Sequence, residues 1–133
     1  MASRNPEDLT IPCLTHYLLF KKAMAQAGID FILTCTSRTQ EEQDALYAQG
    51  RTRPGKIVTW TRNSKHIAGK AFDIAILVKG KLCWNPALDA DGDGVPEYTE
   101  AGKIGEAVGL IWGGRFKGRN GKPMPDAPHF EIA

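Results

Sequence analysis

Residues 70–78, KAFDIAILV, constrain the fold more than any other stretch of the 133-residue chain. Phe72, Ile74 and Ile76 alternate with Ala71, Asp73 and Ala75, the period of a β-strand with its side chains on two opposite faces. Such a strand needs neighbours to complete its backbone hydrogen bonds and a layer to cover its apolar face. Asp73 shares its face with small side chains, which leave room for a ligand.

The rest of the pattern supplies those neighbours. Residues 12–27 read as a helix with Leu14, Tyr17 and Leu18 on one side and Gly28 as its stop. Residues 30–35 (DFILTC) read as a strand. Thr39 and Glu42 form a capping-box pattern, opening a helix that runs to about Ala48 and ends at Gly50. Residues 51–65 are polar, with Pro54-Gly55 as a turn signal, and form a loop leading to His66. Lys79-Gly80 turns the chain back through residues 81–84 as a hairpin. Residues 97–108 read as a helix before Gly109. Residues 129–132 alternate again, with Phe130 and Ile132 inward and His129 and Glu131 opposite. No repeat, linker or low-complexity stretch interrupts this order. Residues 1–133 therefore read as a single α+β domain, with helices packed on a mostly antiparallel sheet and enough length to bury a real core.

Composition narrows the function classes. A net charge of +2 gives no reason to expect nucleic acid as a partner. The late basic cluster of Arg115, Lys117, Arg119 and Lys122 reads first as a solvated loop, and otherwise as a weak contact with an anionic polymer such as a cell wall. No apolar run approaches the ~20 residues that span a bilayer, so no membrane insertion is expected. The N-terminus lacks an apolar signal core. Cys13, Cys35 and Cys83 are odd in number and show no C-x-x-C spacing, which favours a reducing compartment over a disulfide framework. The expectation is a monomer made in the cytoplasm; work outside it needs a separate route of release.

Two of the three histidines lie in segments that also carry carboxylates: Ser64 to Asp73, and Asp126 to His129. Zinc accepts imidazole nitrogen and carboxylate oxygen, and catalytic zinc sites keep three protein ligands and one open position. His66 and Asp73 suit a loop histidine followed by a strand aspartate, and His129 would arrive from a neighbouring strand. A metal held this way lowers the pKa of water toward ~7. Asp126 is then a candidate general base, and Arg38 a candidate stabiliser of the oxyanion on the attacked carbonyl. Each residue also has a plainer reading: structural histidines, an Asp73 paired with a lysine, an Arg38 that binds backbone.

A second constellation spans residues 89–100. Asp89, Asp91, Asp93, Gly94 and Glu100 fit D-x-[DN]-x-[DN]-G-x₅-E. Calcium would take oxygen from Asp89, Asp91, Asp93, the Val95 carbonyl, Glu97 and a bidentate Glu100. A hairpin rather than a helix leads in, and Pro96 has no N–H to pair with a second loop, so this reads as an isolated half EF-hand loop. The plainer reading is an acidic turn that caps the next helix.

The motif S-x-H-x-x-G-x-A-x-D from Ser64 to Asp73, followed by D-x-x-H, resembles the zinc peptidases of the D-alanyl-D-alanine carboxypeptidase / L-alanyl-D-glutamate endopeptidase family. Ser37-Arg38-Thr-x-Glu41-x-Gln43-x-x-Leu46-Tyr47, Trp112-Gly113-Gly114 and Pro128-His129-Phe130 resemble its phage endolysin branch. The similarity runs from about Thr34 to the C-terminus. It implies a hedgehog-type α+β fold, zinc on His66, Asp73 and His129, a base at Asp126 and a transition-state arginine at Arg38. Many relatives carry glutamate at the base position; similar endolysins use aspartate, as here. Ser64, Gln43 and Trp112 match motif positions and read as site-shaping or substrate-contacting residues. The implied activity is cleavage of peptidoglycan stem peptides, between L-alanine and D-glutamate, as a lysis enzyme. The alternatives are a D,D- or L,D-carboxypeptidase and, in another class, a non-catalytic calcium-dependent wall-binding module. With no separate wall-binding domain expected, targeting falls to the catalytic domain itself.

Overall fold

The computed structural model describes residues 3–59, 64–90, 92–117, 120–123 and 125–133. Its frame is an antiparallel sheet in the order β1 (Asp30–Cys35), β2 (Ala71–Val78), β5 (His129–Glu131), β4 (Ile111–Trp112), with β3 (Lys81–Cys83) paired to the far end of β2. Lys79 and Gly80 both adopt positive φ, 52° and 78°, as a two-residue hairpin turn with the twist of its strands requires. This is the expected hairpin, with its strand ending at Cys83.

Helix α1 (Ile11–Ala27) covers the apolar face of the sheet. Thr10 caps it by accepting from the Cys13 N–H, and Gly28 closes it in the left-handed conformation at φ 74°. Its buried stripe is Cys13, Tyr17, Phe20 and Met24. The expected stripe of Leu14, Tyr17 and Leu18 is only partly right: Leu18 is 52% exposed, because Tyr17 and Leu18 are adjacent and diverge by about 100° on a 3.6-residue turn. Phe20 and Tyr17 pack edge-on or tilted against Phe31 and Phe72, and Phe72 stacks on Phe130 at 5.5 Å. Each fully buried aromatic or aliphatic side chain here contributes roughly 1.5–3 kcal/mol relative to exposure.

Helix α2 (Gln40–Ala48) opens with the full capping box, Thr39 Oγ1 accepting from the Glu42 N–H and Glu42 Oε1 from the Thr39 N–H. Helix α3 (Glu97–Ala107) lies directly on the rings of β4 and β5. A Cβ at Gly105 would stand 2.5 Å from the Phe130 ring, and one at Gly102 would fall on the Trp112 indole. Tyr98 of the same helix fastens the hairpin: its hydroxyl donates to the Cys83 carbonyl and accepts from the Ile76 N–H. Among the described residues no helix is long and apolar enough to cross a membrane.

Candidate active site

Backbone register places three side chains in one row across the sheet. Asp73 of β2 pairs with Cys35 of β1 on one side and with His129 of β5 on the other. The register of β1 and β2 shifts between Leu33 and Cys35, and irregularities of this kind re-aim side chains next to functional sites. His66 reaches the same place from a turn outside the sheet. The Ser64 Oγ accepts from the His66 N–H, and the His66 carbonyl accepts from the Arg38 N–H.

Asp73 Oδ1 is the meeting point. His66 Nε2 lies 3.2 Å from it and His129 Nδ1 3.0 Å. Each imidazole has its other nitrogen engaged: His66 Nδ1 lies 3.5 Å from Cys35 Sγ, and His129 Nε2 lies 2.9 Å from Glu131 Oε1. Glu131 is held in turn by Lys65 at 2.6 Å, and Lys65 also donates to the Ile132 carbonyl. Lys65 and Glu131 thus tie the His66 turn to the His129 strand. Ligating histidines generally need such an outer partner to fix tautomer and ring plane.

The donor chemistry fits a divalent metal such as zinc. Among the described residues two groups of three donors lie within 4.8 Å of one another, Cys35–His66–Asp73 and Asp73–Asp126–His129. Asp73 is common to both, and the expected ligands His66, Asp73 and His129 are brought together around it. Cys35 and Glu131 are the participants that sequence reasoning missed. The His129-x-Glu131 alternation held a usable signal for Glu131, since residues two apart on a strand share a face; a single cysteine at a strand end gave none.

Around this centre, Asp126 sits at the mouth of the site. Its turn is built by the Asp126 N–H donating to the Gly113 carbonyl and the His129 N–H to the Asp126 carbonyl. Gly113 has no room for a side chain, since a Cβ there would meet the Asp126 carbonyl and stand 2.9 Å from the His129 Cβ. That close approach accounts for the first glycine of Trp-Gly-Gly. Arg38 donates from Nη1 to Gln43 Oε1 at 2.7 Å and from Nη2 to Cys35 Sγ at 3.6 Å. Its Nε is buried with no hydrogen-bond partner among the described residues.

Three expected substrate contacts are placed differently from one another. Gln43 is fully buried, its amide donating to Thr59 Oγ1 while its oxygen holds Arg38. From the inner face of α2 it positions the guanidinium, which is the site-shaping half of its expected role. Ser64 shapes the His66 turn. Trp112 is buried, donates from Nε1 to the Ala127 carbonyl, and contributes to the wall of a groove beside Asp126.

Burial alone would lower the pKa of both histidines. Hydrogen bonds outweigh it, from Asp73 and Cys35 at His66 and from Asp73 and Glu131 at His129, and each rises to about 9. Burial would raise the Asp73 pKa, but the two imidazoles hold its carboxyl well below the usual range. The Asp126 carboxyl is pushed up, first by desolvation in the cleft and then by the Asp73 carboxylate.

The acidic loop is arranged otherwise. Asp89 accepts from the Gly92 and Gly94 N–H groups, Asp93 from the Val95 N–H, and Glu97 from the Ala90 N–H. Asp91 lies outside the described residues. Among those described, the loop carboxylates form no grouping of three metal donors. Pro96 precedes α3 without a side-chain cap, so the loop does not cap that helix through a side chain.

The sequence pattern of the D-alanyl-D-alanine carboxypeptidase family matches residues 58–132. The chain is 35% identical over 135 residues to the peptidoglycan L-alanyl-D-glutamate endopeptidase CwlK of Bacillus subtilis (strain 168), covering 95% of this chain and 78% of that protein. In structure it is similar to the Serratia marcescens L-Ala D-Glu endopeptidase ChiX, with a TM-score of 0.72, 17% identity, and 100% of this chain and 89% of that one covered. VanYB, solved in complex with D-alanine-D-alanine, is similar at a TM-score of 0.58 and 18% identity, over 93% of this chain and 71% of that one. The hedgehog-type D,D-peptidase fold is thereby established for this α+β domain. The chain belongs to the D-alanyl-D-alanine carboxypeptidase family and is accordingly a metallopeptidase, of a class that hydrolyses peptidoglycan.

Proposed function

We propose that the chain is a zinc-dependent endopeptidase that cuts the peptidoglycan stem peptide between L-alanine and D-glutamate. The observation that carries this reading is the 35% identity to an L-alanyl-D-glutamate endopeptidase over 95% of the chain, together with the convergence of His66, Asp73, His129 and Asp126. His66, Asp73 and His129 would hold the zinc. When bound, the ion supplies Lewis acidity to the scissile carbonyl and makes water acidic enough to attack at neutral pH. Asp126 accepts the proton of the attacking water and returns it to the leaving amine. Its raised pKa suits both halves of that transfer. Arg38, held by Gln43 and Cys35, offers its remaining donors to the oxyanion that develops on the carbonyl. Glu131 and Lys65 keep the His129 ring in place.

On this reading the enzyme works on the wall, outside the membrane, as a lysis enzyme. The test is a free stem pentapeptide incubated with zinc-loaded protein and followed by mass spectrometry. Release of L-alanine alone supports the reading. Release of terminal D-alanine alone supports the carboxypeptidase reading, which the family description favours.

Calcium in the loop is a separate proposal, supported by the ligand spacing and by the way Asp89 and Asp93 draw the loop backbone inward. Calorimetry at millimolar calcium on zinc-loaded protein tests it, at the weak end of such sites, ~10⁻⁴ M. Absence of binding heat would reduce the loop to a structural turn.

A further inference from the structure

The sheet order gives the site two unlike flanks. On the β1 side, a cavity of about 580 Å³ is lined by Arg38 and Arg53 as well as Glu42. On the β4 side, a groove of about 290 Å³ is lined by Trp84, Trp112, Pro86 and Pro125 and runs up to Asp126. Asp73 and His129 lie between them in the strand order. Among the described residues the groove has no basic side chain, and Asp126 is its only charged one. Trp84, just beyond β3, is 54% exposed, while Trp112 contributes to the wall with its N–H already bound.

We propose that this groove is a subsite for an N-acetylated amino sugar, the muramyl residue of the glycan strand, with Trp84 as its stacking surface. The proposal rests on cleavage between L-alanine and D-glutamate. In peptidoglycan L-alanine is joined through a lactyl group to the sugar, so in that cut only one residue and the lactyl linker separate the sugar from the scissile bond. L-alanine and the lactyl linker together span roughly two residue lengths, ~7 Å when extended, which brings the sugar into a groove that begins at Asp126. The other side of the bond carries the D-glutamate carboxylate and the further acidic stem. That anionic half matches the flank with Arg38 and Arg53, and is poorly matched to a groove whose one charge is a carboxylate. A neutral ring with apolar faces and an acetamido group matches the aromatic and proline walls.

The test uses products, which bind without being turned over. Zinc-loaded protein is titrated by calorimetry with the disaccharide-lactyl-L-alanine product and, separately, with lactyl-L-alanine lacking sugar. The expected result is affinity at least about tenfold tighter for the sugar-bearing ligand. Trp84→Ala removes most of that difference and Trp84→Phe restores part of it. Zinc content and hydrolysis of the sugar-free stem peptide stay at parent level in Trp84→Ala, which shows the variant folded. Equal affinity for the two ligands, or a sugar preference that survives Trp84→Ala, overturns the proposal. The scissile-bond reading is judged independently, by the mass of the peptide fragments.

Discussion

At the residue scale the site is a carboxylate between two imidazoles, each steadied from behind. His66→Ala and His129→Ala are each expected to abolish zinc retention and hydrolysis, read by elemental analysis of the purified variants; full zinc in both would remove these residues as ligands. Asp126→Asn should keep zinc and lose roughly two to four orders of magnitude in turnover, the usual size for a proton-transfer group. Arg38→Ala should lose roughly two to three orders, as for an oxyanion donor, and stopped assays on one stem peptide report both. Glu131→Gln leaves the ring in place but weakens its support. Competition with a metal-sensitive dye should show zinc affinity lower by roughly 10–100-fold; an unchanged affinity would mean Glu131 serves only the Lys65 ion pair. The side chains that converge around Asp73 were legible in the sequence, because few residue types can bind zinc or carry a proton at neutral pH. Cys35 and the supporting role of Glu131 were not, because which side chains stand behind a ligand depends on strand register and burial.

At the scale of elements, the ends of helices and turns were legible because they are local chemistry. The Thr39–Glu42 box, the Gly28 stop and the Lys79-Gly80 turn are written into adjacent residues. The buried stripe of α1 was misread at Leu18, since two adjacent apolar residues cannot both face the sheet. The strand order β1-β2-β5-β4 and the register shift near Cys35 join residues far apart in sequence, and no local pattern encodes them. The same distance hides why α3 carries two glycines. Gly102 and Gly105 let the helix settle on Trp112 and Phe130, the residues that hold β4 and β5 behind His129. Gly102→Ala must displace the indole, and is expected to destabilise the fold by about 1–3 kcal/mol, the usual cost of overpacking. Urea unfolding measures this. A gain in stability, as expected from helix propensity alone, would show that the contact yields freely.

At the scale of the whole molecule, one sheet brings distant segments to a single cleft with an arginine-bearing flank and an aromatic flank. The metal would be held where the His66 turn, β2 and β5 meet, so loss of the ion should silence the enzyme while leaving the remote core of α1 and β2 in place. Zinc dependence and the position of the cut are tested together. Purified peptidoglycan is digested with zinc-loaded protein, with protein stripped by a chelator, and with stripped protein resupplied with zinc; the new termini are then identified by mass spectrometry. New D-glutamate amino termini and L-alanine carboxyl termini are expected in the first and third digests and none in the second. Release of terminal D-alanine only, or identical cleavage in the stripped sample, would rule out a zinc-dependent L-alanyl-D-glutamate endopeptidase.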